Sequence, residues 1–450
     1  MTKIVKLRRG LDITLQGVAK KEKRNVTVGG VYALQPDDFT GVKPKVVVKE
    51  GDKVVAGDAL FINKDFPEVA FASPVSGRVK CVERGERRKL LSIQVEADST
   101  QQYKDFGAKD VSTLSGDDVR NALLQAGLFG YINQLPYAIS TNPGTTPKAI
   151  FVSTLRDMPL AGDFEYELAG QEKDFQTGLA ALAKMAKVYV GVGSQQSSIL
   201  AARLSVANCE VVEFSGKCPA GNVGVQVNHI DPVNKGEVVW TVEPTAVLFF
   251  GRLFNTGRVN LMRTIALGGA QMKEPAYADV MVGAQIDLSK ELLEGSTRLI
   301  MGNPLTGRAV EADAPVFLSA HTSEITAIPE GDDADELIGW IMPRFSQFSV
   351  SRSYFSWLLG KKEYNLDARI KGGERHIIMS GEYDKVLPMD IYGEYLIKAI
   401  IAQDIDKMEQ LGIYEVSPED FALAEFVDSS KLELQRIVRE GLDMLRKEVE

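Results

Sequence analysis

Three glycine-rich turns and one aromatic run are where this chain's residue types and spacing could do chemistry. Gly191-Val192-Gly193-Ser194-Gln195-Gln196 lies between a strand pattern and a helix pattern, where a nucleotide phosphate could meet helix-terminal N–H groups. The third glycine of a G-x-G-x-x-G fingerprint would fall at Gln196, and no acidic residue closes a second strand at the usual distance, so a tight βα turn is the preferred reading. Gly216-Lys217-Cys218-Pro219-Ala220-Gly221-Asn222-Val223-Gly224 could also cradle a phosphate, but Pro219 removes one N–H donor. A close backbone crossing between domains explains that run at least as well. Gly302–Arg308 copies phosphate-loop spacing and fails on chemistry, since Arg308 stands for the lysine and Ala309 for the hydroxyl residue. Cys209, Cys218 and His229 are too widely spaced for a compact zinc site. With three histidines in 450 residues, acid–base catalysis has little material. The segment Arg344–Tyr364 is more suggestive: Phe345, Phe348, Tyr354, Phe355 and Trp357 lie among Arg344, Arg352, Lys361 and Lys362. Aromatic anchors with a cationic fringe suit a partner surface or a membrane interface, while the plainer alternative is a core-packing helix with a solvated rim.

The elements that must position these residues change along the chain. Residues 1–105 read as short strands punctuated by Gly, Pro and Asp. Gly51-Asp52 and Gly57-Asp58 repeat a turn six residues apart, Gly permitting φ > 0 and Asp bonding its own turn backbone. A hairpin and Ser73-Pro74-Val75-Ser76-Gly77 follow, the pattern of a barrel-sandwich hybrid as in lipoyl and biotinyl carriers. Those carriers present an attachment lysine at the hairpin tip. Here the tip is Asn63-Lys64-Asp65-Phe66-Pro67-Glu68, and Lys64 misses the carrier position. Residues 106–258 alternate helix and strand periods: Asp117–Ala126, Gln176–Met185 and Ser197–Leu204 as helices, Lys148–Ser153, Lys187–Gly191 and Cys209–Phe214 as strands. That alternation predicts a Rossmann-like α/β domain with a parallel sheet. Residues 259–330 return to strands and turns, a small β-rich domain, and residues 331–450 read as helical. Ser417-Pro418-Glu419-Asp420 and Ser430-Lys431-Leu432-Glu433 both spell capping boxes, and Leu434, Val438, Leu442, Leu445 and Val449 share one face of a last helix.

Composition narrows the classes. A formal charge of −9 spread along the chain makes nucleic acid an improbable partner. Three scattered Cys suit a reducing compartment rather than a disulfide framework. MTKIVKLRRG has no apolar stretch after it, so no signal peptide is expected, and no run approaches the ~20 apolar residues of a membrane span. On residues alone, a multidomain scaffold is better supported than an enzyme.

Several segments together resemble one family, the A subunit of the Na⁺-translocating NADH:quinone reductase (NQR). They are residues 4–17 (IVKLRRGLDITLQG), 51–61 (GDKVVAGDALF), 71–79 (FASPVSGRV), 268–276 (GGAQMKEPA), 381–412 and 414–427, in the family's order from end to end. More distantly the domain order resembles the Rnf complex C subunit and the NADH- and flavin-binding subunit of complex I, which implies a β-grasp, SLBB-like identity for residues 259–330. The last cysteine is Cys218, so no thiolate cluster can form in the helical end. The resemblance implies a peripheral subunit on the cytoplasmic face of the bacterial inner membrane, within a six-subunit complex. It would dock chiefly on the B subunit, the membrane component at the quinone site, and support quinone reduction coupled to Na⁺ export. It implies no covalent cofactor on this chain, a quinone held at a subunit interface, and flavins, iron–sulfur and NADH on other subunits. The isolated chain is then not catalytic, no catalytic or metal residue is assigned, and the aromatic segment is the expected partner or quinone-proximal surface. Two other readings stay open: a stand-alone NADH- or flavin-dependent oxidoreductase like the complex I relative, and a carrier modified on Lys64.

Overall fold

The computed structural model describes residues 3–196, 206–310, 316–332, 344–360 and 362–449. The helix expected over 197–204 lies outside them.

The first module packs a three-stranded sheet (Pro44–Val46, Ala59–Asn63, Ala70–Ala72) against a six-stranded one containing Thr27–Leu34, Leu90–Ala97, Gly77–Arg84 and Lys53–Val54. Alternating apolar residues meet between them, with Leu60, Phe61, Phe71, Ile93 and Val95 fully buried and Phe61 stacked on Phe71 at 4.4 Å. Both Gly-Asp turns form as their chemistry requires. Gly51 and Gly57 take φ of 88° and 100°. Asp52 accepts from the Lys49 N–H at 2.7 Å and Asp58 from the Val55 N–H at 2.9 Å. Lys64 sits exposed on the hairpin tip.

Two strands cross the expected module boundaries. Lys3–Lys6 leaves the first module and pairs in parallel with Cys209–Ser215, as an edge of the α/β sheet. Ala284–Asp287 pairs antiparallel with Thr27–Leu34, and Val316–Phe317 adds outside it. Residues 1–105 thus lend one strand to the α/β sheet, and 259–330 completes the first module's six-stranded sheet as well as building its own. Strand period reveals which residues face a core, but it does not reveal which open edge a strand will join.

The α/β region has a seven-stranded sheet. Its five parallel strands run in the order Lys3–Lys6, Cys209–Ser215, Val188–Gly193, Ile150–Ser153, Val239–Val242, followed by antiparallel Ile132–Leu135 and Ile139–Ser140. The chain steps outward from Ile150–Ser153 through Val188–Gly193 to Cys209–Ser215, then returns to the other side at Val239–Val242. That reversal is the topological switch point, and it opens a crevice at the strands' carboxyl ends. Helices Gly116–Gln125, Glu172–Met185, Val223–Ile230 and Pro244–Thr256 cover the sheet. Glu172–Met185 and Pro244–Thr256 approach at glycines, since a Cβ on Gly251 would stand 1.7 Å from the Asp174 carbonyl oxygen.

Beyond this lies a mixed five-stranded sheet (Ala276–Met281, Met262–Gly268, Glu324–Pro329, Thr297–Met301, Arg308–Val310); of the end expected to be helical, the described residues within 344–382 hold only the 3₁₀ turn Phe355–Leu359, and the α-helices begin at Tyr383. Leu434, Val438, Leu442 and Leu445 on Leu434–Val449 pack with Leu396 and Ile397 of Gly393–Ile401. Val449 is 52% exposed, so the apolar face stops one turn early. The Ser417 box forms with Pro418 in the first turn, Asp420 accepting from both the Ser417 N–H and hydroxyl at 2.8 Å. The Ser430 box does not form. Ser430 instead accepts from the Ile378 N–H, while Asp428 takes the N–H groups of Ser430 and Leu432. Asp428 is fully buried there, as is Ser430, and a buried carboxylate collecting two N–H groups outcompetes the local cap.

Candidate functional site

At the switch point lies a cavity of about 590 Å³. Residues just beyond two parallel strands line it: Leu155, Arg156 and Asp157 after Ile150–Ser153, and Glu243 and Pro244 after Val239–Val242. Asp38 comes from the first module, His321 and Glu324 from the third, and Glu419 and Arg439 from the helical end. All four regions of the chain therefore contribute to one wall.

The charges there are arranged in pairs. Arg156 donates to Glu167 Oε2 at 2.9 Å and to Thr245 Oγ1 at 3.0 Å, and Thr245 donates to Glu167 Oε1 at 2.8 Å. Burial works against the Arg156 charge, but Glu167, Glu324 and Glu243 outweigh it and raise its pKa. His321 Nδ1 lies 3.2 Å from Glu243 Oε1. Burial alone would lower the His321 pKa, yet Glu243 and Asp38 raise it above the usual imidazole value. Glu243 moves the other way: burial favours its acid form, and His321, Arg263 and Arg156 together hold it below the ordinary glutamate range. Asp38 is raised by burial although it accepts from the Ala320 N–H at 2.8 Å.

Asp157 and Glu419 have no ion-pair partner among the described residues. Burial pushes Asp157 up to about 6; its Oδ2 accepts from the Gly221 N–H at 3.0 Å, while its Oδ1 has no partner among the described residues. Glu419 and its neighbour Asp420 are both raised, first by burial, with the Asp420 charge adding to the rise at Glu419. Asp420 is anchored by Ser417 and by Asn222 Nδ2 at 3.3 Å.

Neither phosphate nor metal chemistry follows from this set. The helix Pro244–Thr256 points its N-terminus here, but Pro244 lacks an N–H and the cap residue is Glu243, a carboxylate. Among the described residues no three His, Cys, Asp or Glu gather in a metal-binding group. Burial raises Cys209 to about 11 and raises Cys218 further, so neither thiol is poised as a thiolate.

The glycine runs have packing explanations. A Cβ on Gly191 would meet Gln226 Oε1 at 1.9 Å, and the Gly193 N–H donates to Gln196 Oε1 at 3.0 Å, so side chains fill the turn. A Cβ on Gly221 would stand 2.4 Å from the Leu155 carbonyl oxygen, and one on Gly224 would stand 2.3 Å from Asp420 Oδ2. Gly224 lets the helical end close on the α/β region, while Gly221 lets two loops within the α/β region cross. Gly302–Arg308 is a hairpin turn in which the Gly307 N–H donates to the Asn303 carbonyl.

None of the five aromatic residues from the 344–364 segment lines the cavity. The segment is not a core helix; its regular element among described residues is the short 3₁₀ turn Phe355–Leu359. Phe355 (49%), Trp357 (46%), Leu358 (59%) and Leu359 (53%) are exposed, as is Phe345, which lies 6.2 Å from Phe355. The Arg352 guanidinium lies 5.5 Å from the Trp357 ring and Arg344 lies 5.3 Å from Tyr354. Phe348 separates from the group, wedged edge-on against Tyr364 at 5.3 Å and tilted against Phe426 at 5.8 Å. Lys361 lies outside the described residues. The cavity residues were not legible in the sequence, where their one available signal is a charged residue following each of two buried strands, at Arg156-Asp157 and Glu243.

Comparison with known proteins decides the family. Residues 5–98 match the NqrA N-terminal barrel-sandwich hybrid domain, 114–259 the NqrA second alpha/beta domain, and 264–312 the NQRA C-terminal domain. The A subunit of the Na⁺-translocating NADH-quinone reductase of Neisseria meningitidis serogroup A is 32% identical over 449 residues, covering 99% of this chain and 100% of that one. Its counterpart from Yersinia pestis is also 32% identical, over 451 residues at the same coverage. The chain belongs to the NqrA family. Among solved structures, an NAD⁺-reducing [NiFe]-hydrogenase in the H₂-reduced state aligns over 74% of this chain and 61% of its own, at 10% identity and a TM-score of 0.39. That likeness is too slight to say anything of function.

Proposed function

We propose that this chain is the peripheral A subunit of a Na⁺-pumping NADH:quinone oxidoreductase. It docks on the cytoplasmic face of the membrane against the B subunit and supports reduction of quinone to quinol coupled to Na⁺ export. The full-length match to relatives of that name carries the reading. No described helix is long and apolar enough to cross a membrane, which fits a chain that attaches to membrane partners. NADH, flavins and iron–sulfur are assigned to other subunits, and quinone to a slot completed at an interface. The stand-alone oxidoreductase reading loses ground because Gln196 and Gln226 occupy the turn where a dinucleotide would lie.

The docking surface is the exposed turn of Phe355, Trp357, Leu358 and Leu359 with Phe345, fringed by Arg352 and Lys362. Exposed aromatic and aliphatic anchors of this kind concentrate binding energy in a few side chains. The test is a complex carrying Trp357→Ser, Leu358→Ser and Leu359→Ser. The expected result is at least tenfold loss of quinone turnover with this chain lost on purification, since ~1.4 kcal/mol of contact is worth a factor of ten. Full assembly and turnover in that triple variant would remove the segment from the interface.

A further inference from the structure

We propose that the switch-point cavity is a binding site for a compact organic cation, an apolar body carrying several N–H donors, held by Asp157 and Glu419. Its volume of about 590 Å³ falls in the range of small-molecule sites. Leu155, Met158, Val223 and Val242 supply apolar wall.

The polar groups decide the ligand's chemistry, because acidic side chains outnumber basic ones in the lining. Asp38, Asp157, Glu243, Glu324 and Glu419 line it, against Arg156, His321 and Arg439. Each of those cations is already engaged: Arg156 by Glu167 and Thr245, His321 by Glu243, and Arg439 by the carbonyls of Tyr137 and Ala138 and by Asp443. Asp157 Oδ1 is deeply buried with no partner among the described residues, and no described residue donates to the Glu419 carboxyl. A buried acceptor left unbonded is destabilising, so a ligand that brings donors to Asp157 and Glu419 gains there.

The same inventory rejects the other classes. An anion would face Glu243 and a helix that opens on proline. A metal ion finds no group of three ligating side chains among the described residues. The site is independent of the docking surface, since none of its residues belongs to the 344–364 segment.

The experiment is calorimetric titration of the purified full chain with benzamidine, with spermidine, adenosine monophosphate and a short-chain quinone in parallel. Benzamidine should bind saturably with a Kd near or below ~1 mM and lose at least tenfold in Asp157→Asn, whose amide keeps the Gly221 hydrogen bond but turns a donor toward the cation. Glu419→Gln should weaken it too, and serves if Asp157→Asn does not fold. Undiminished binding in both variants, no saturation at ~10 mM, or binding of nucleotide or quinone alone would overturn the assignment. Binding of spermidine in place of benzamidine would overturn its compact, apolar part.

Discussion

The aromatic turn at 355–359 and the switch-point cavity are opposite solutions to placing a functional group. The turn presents residues close in sequence, all exposed but Ser356, and is held to the rest of the fold by the Phe348 wedge against Tyr364 and Phe426 and by backbone bonds between Tyr364 and Thr14 and Gln16. The cavity collects single residues from all four regions of the chain, most of them deep and paired. A surface patch can change with small cost to folding, whereas a buried charge network cannot lose one member without stranding another. The proposed partner surface and the proposed ligand site thus stand at very different energetic stakes in the same chain.

Substitutions can break that contrast or sharpen it. The largest effect belongs to Glu167→Leu, which strands the buried Arg156 guanidinium and should cost about 3–5 kcal/mol in urea unfolding; a loss below ~1 kcal/mol would mean that water already solvates Arg156. Phe348→Ala should cost about 2 kcal/mol, less than a fully buried phenylalanine, because the ring is partly covered. If it cost nothing, the whole 344–364 segment would count as surface.

A third effect depends on pH. The folded state raises Glu419 from 4.5 to about 8, so it stays protonated where the unfolded chain ionises it. Stability from this group is complete below its unfolded value and is lost as pH rises through the folded one. Asp157, raised from 3.8 to about 6, acts in the same direction. Glu419→Gln cannot ionise, so its stability relative to the parent should improve by about 1–2 kcal/mol between about pH 5 and 8.5, a part of the ~1.4 kcal/mol per tenfold change because the cavity keeps some water. A flat difference across that range would show Glu419 titrating normally. The smallest effect is Leu358→Ser with Leu359→Ser, within about 0.5 kcal/mol on the isolated chain by thermal melting. A larger loss would make the turn part of a core.

Much of the fold was legible because it rests on local periodicity. The Gly-Asp turns, the Ile150–Ser153 and Val188–Gly193 strands, the Glu172–Met185 helix and the Ser417 cap each follow from residues within a few positions of one another. The misplaced Ser430 cap shows the limit. The local pattern is complete, but Asp428 and Ile378, the latter 52 residues away, take its groups. Lys3–Lys6 repeats the lesson, since Lys3 pairs with Val212 and Lys6 with Ser215, far along the chain.

By itself the sequence determined the order of strand-rich, alternating and helical regions, the turn chemistry and the aromatic cluster, since period, backbone freedom and composition are properties of neighbours in the chain. Only the tertiary structure decided which edges pair, that Phe348 turns inward while Trp357 stays out, and that Asp38, Asp157, Glu243, His321 and Glu419 share one space. Those outcomes depend on which carboxyl finds a donor and which is left without one, a balance of desolvation against pairing set by residues far apart in the chain.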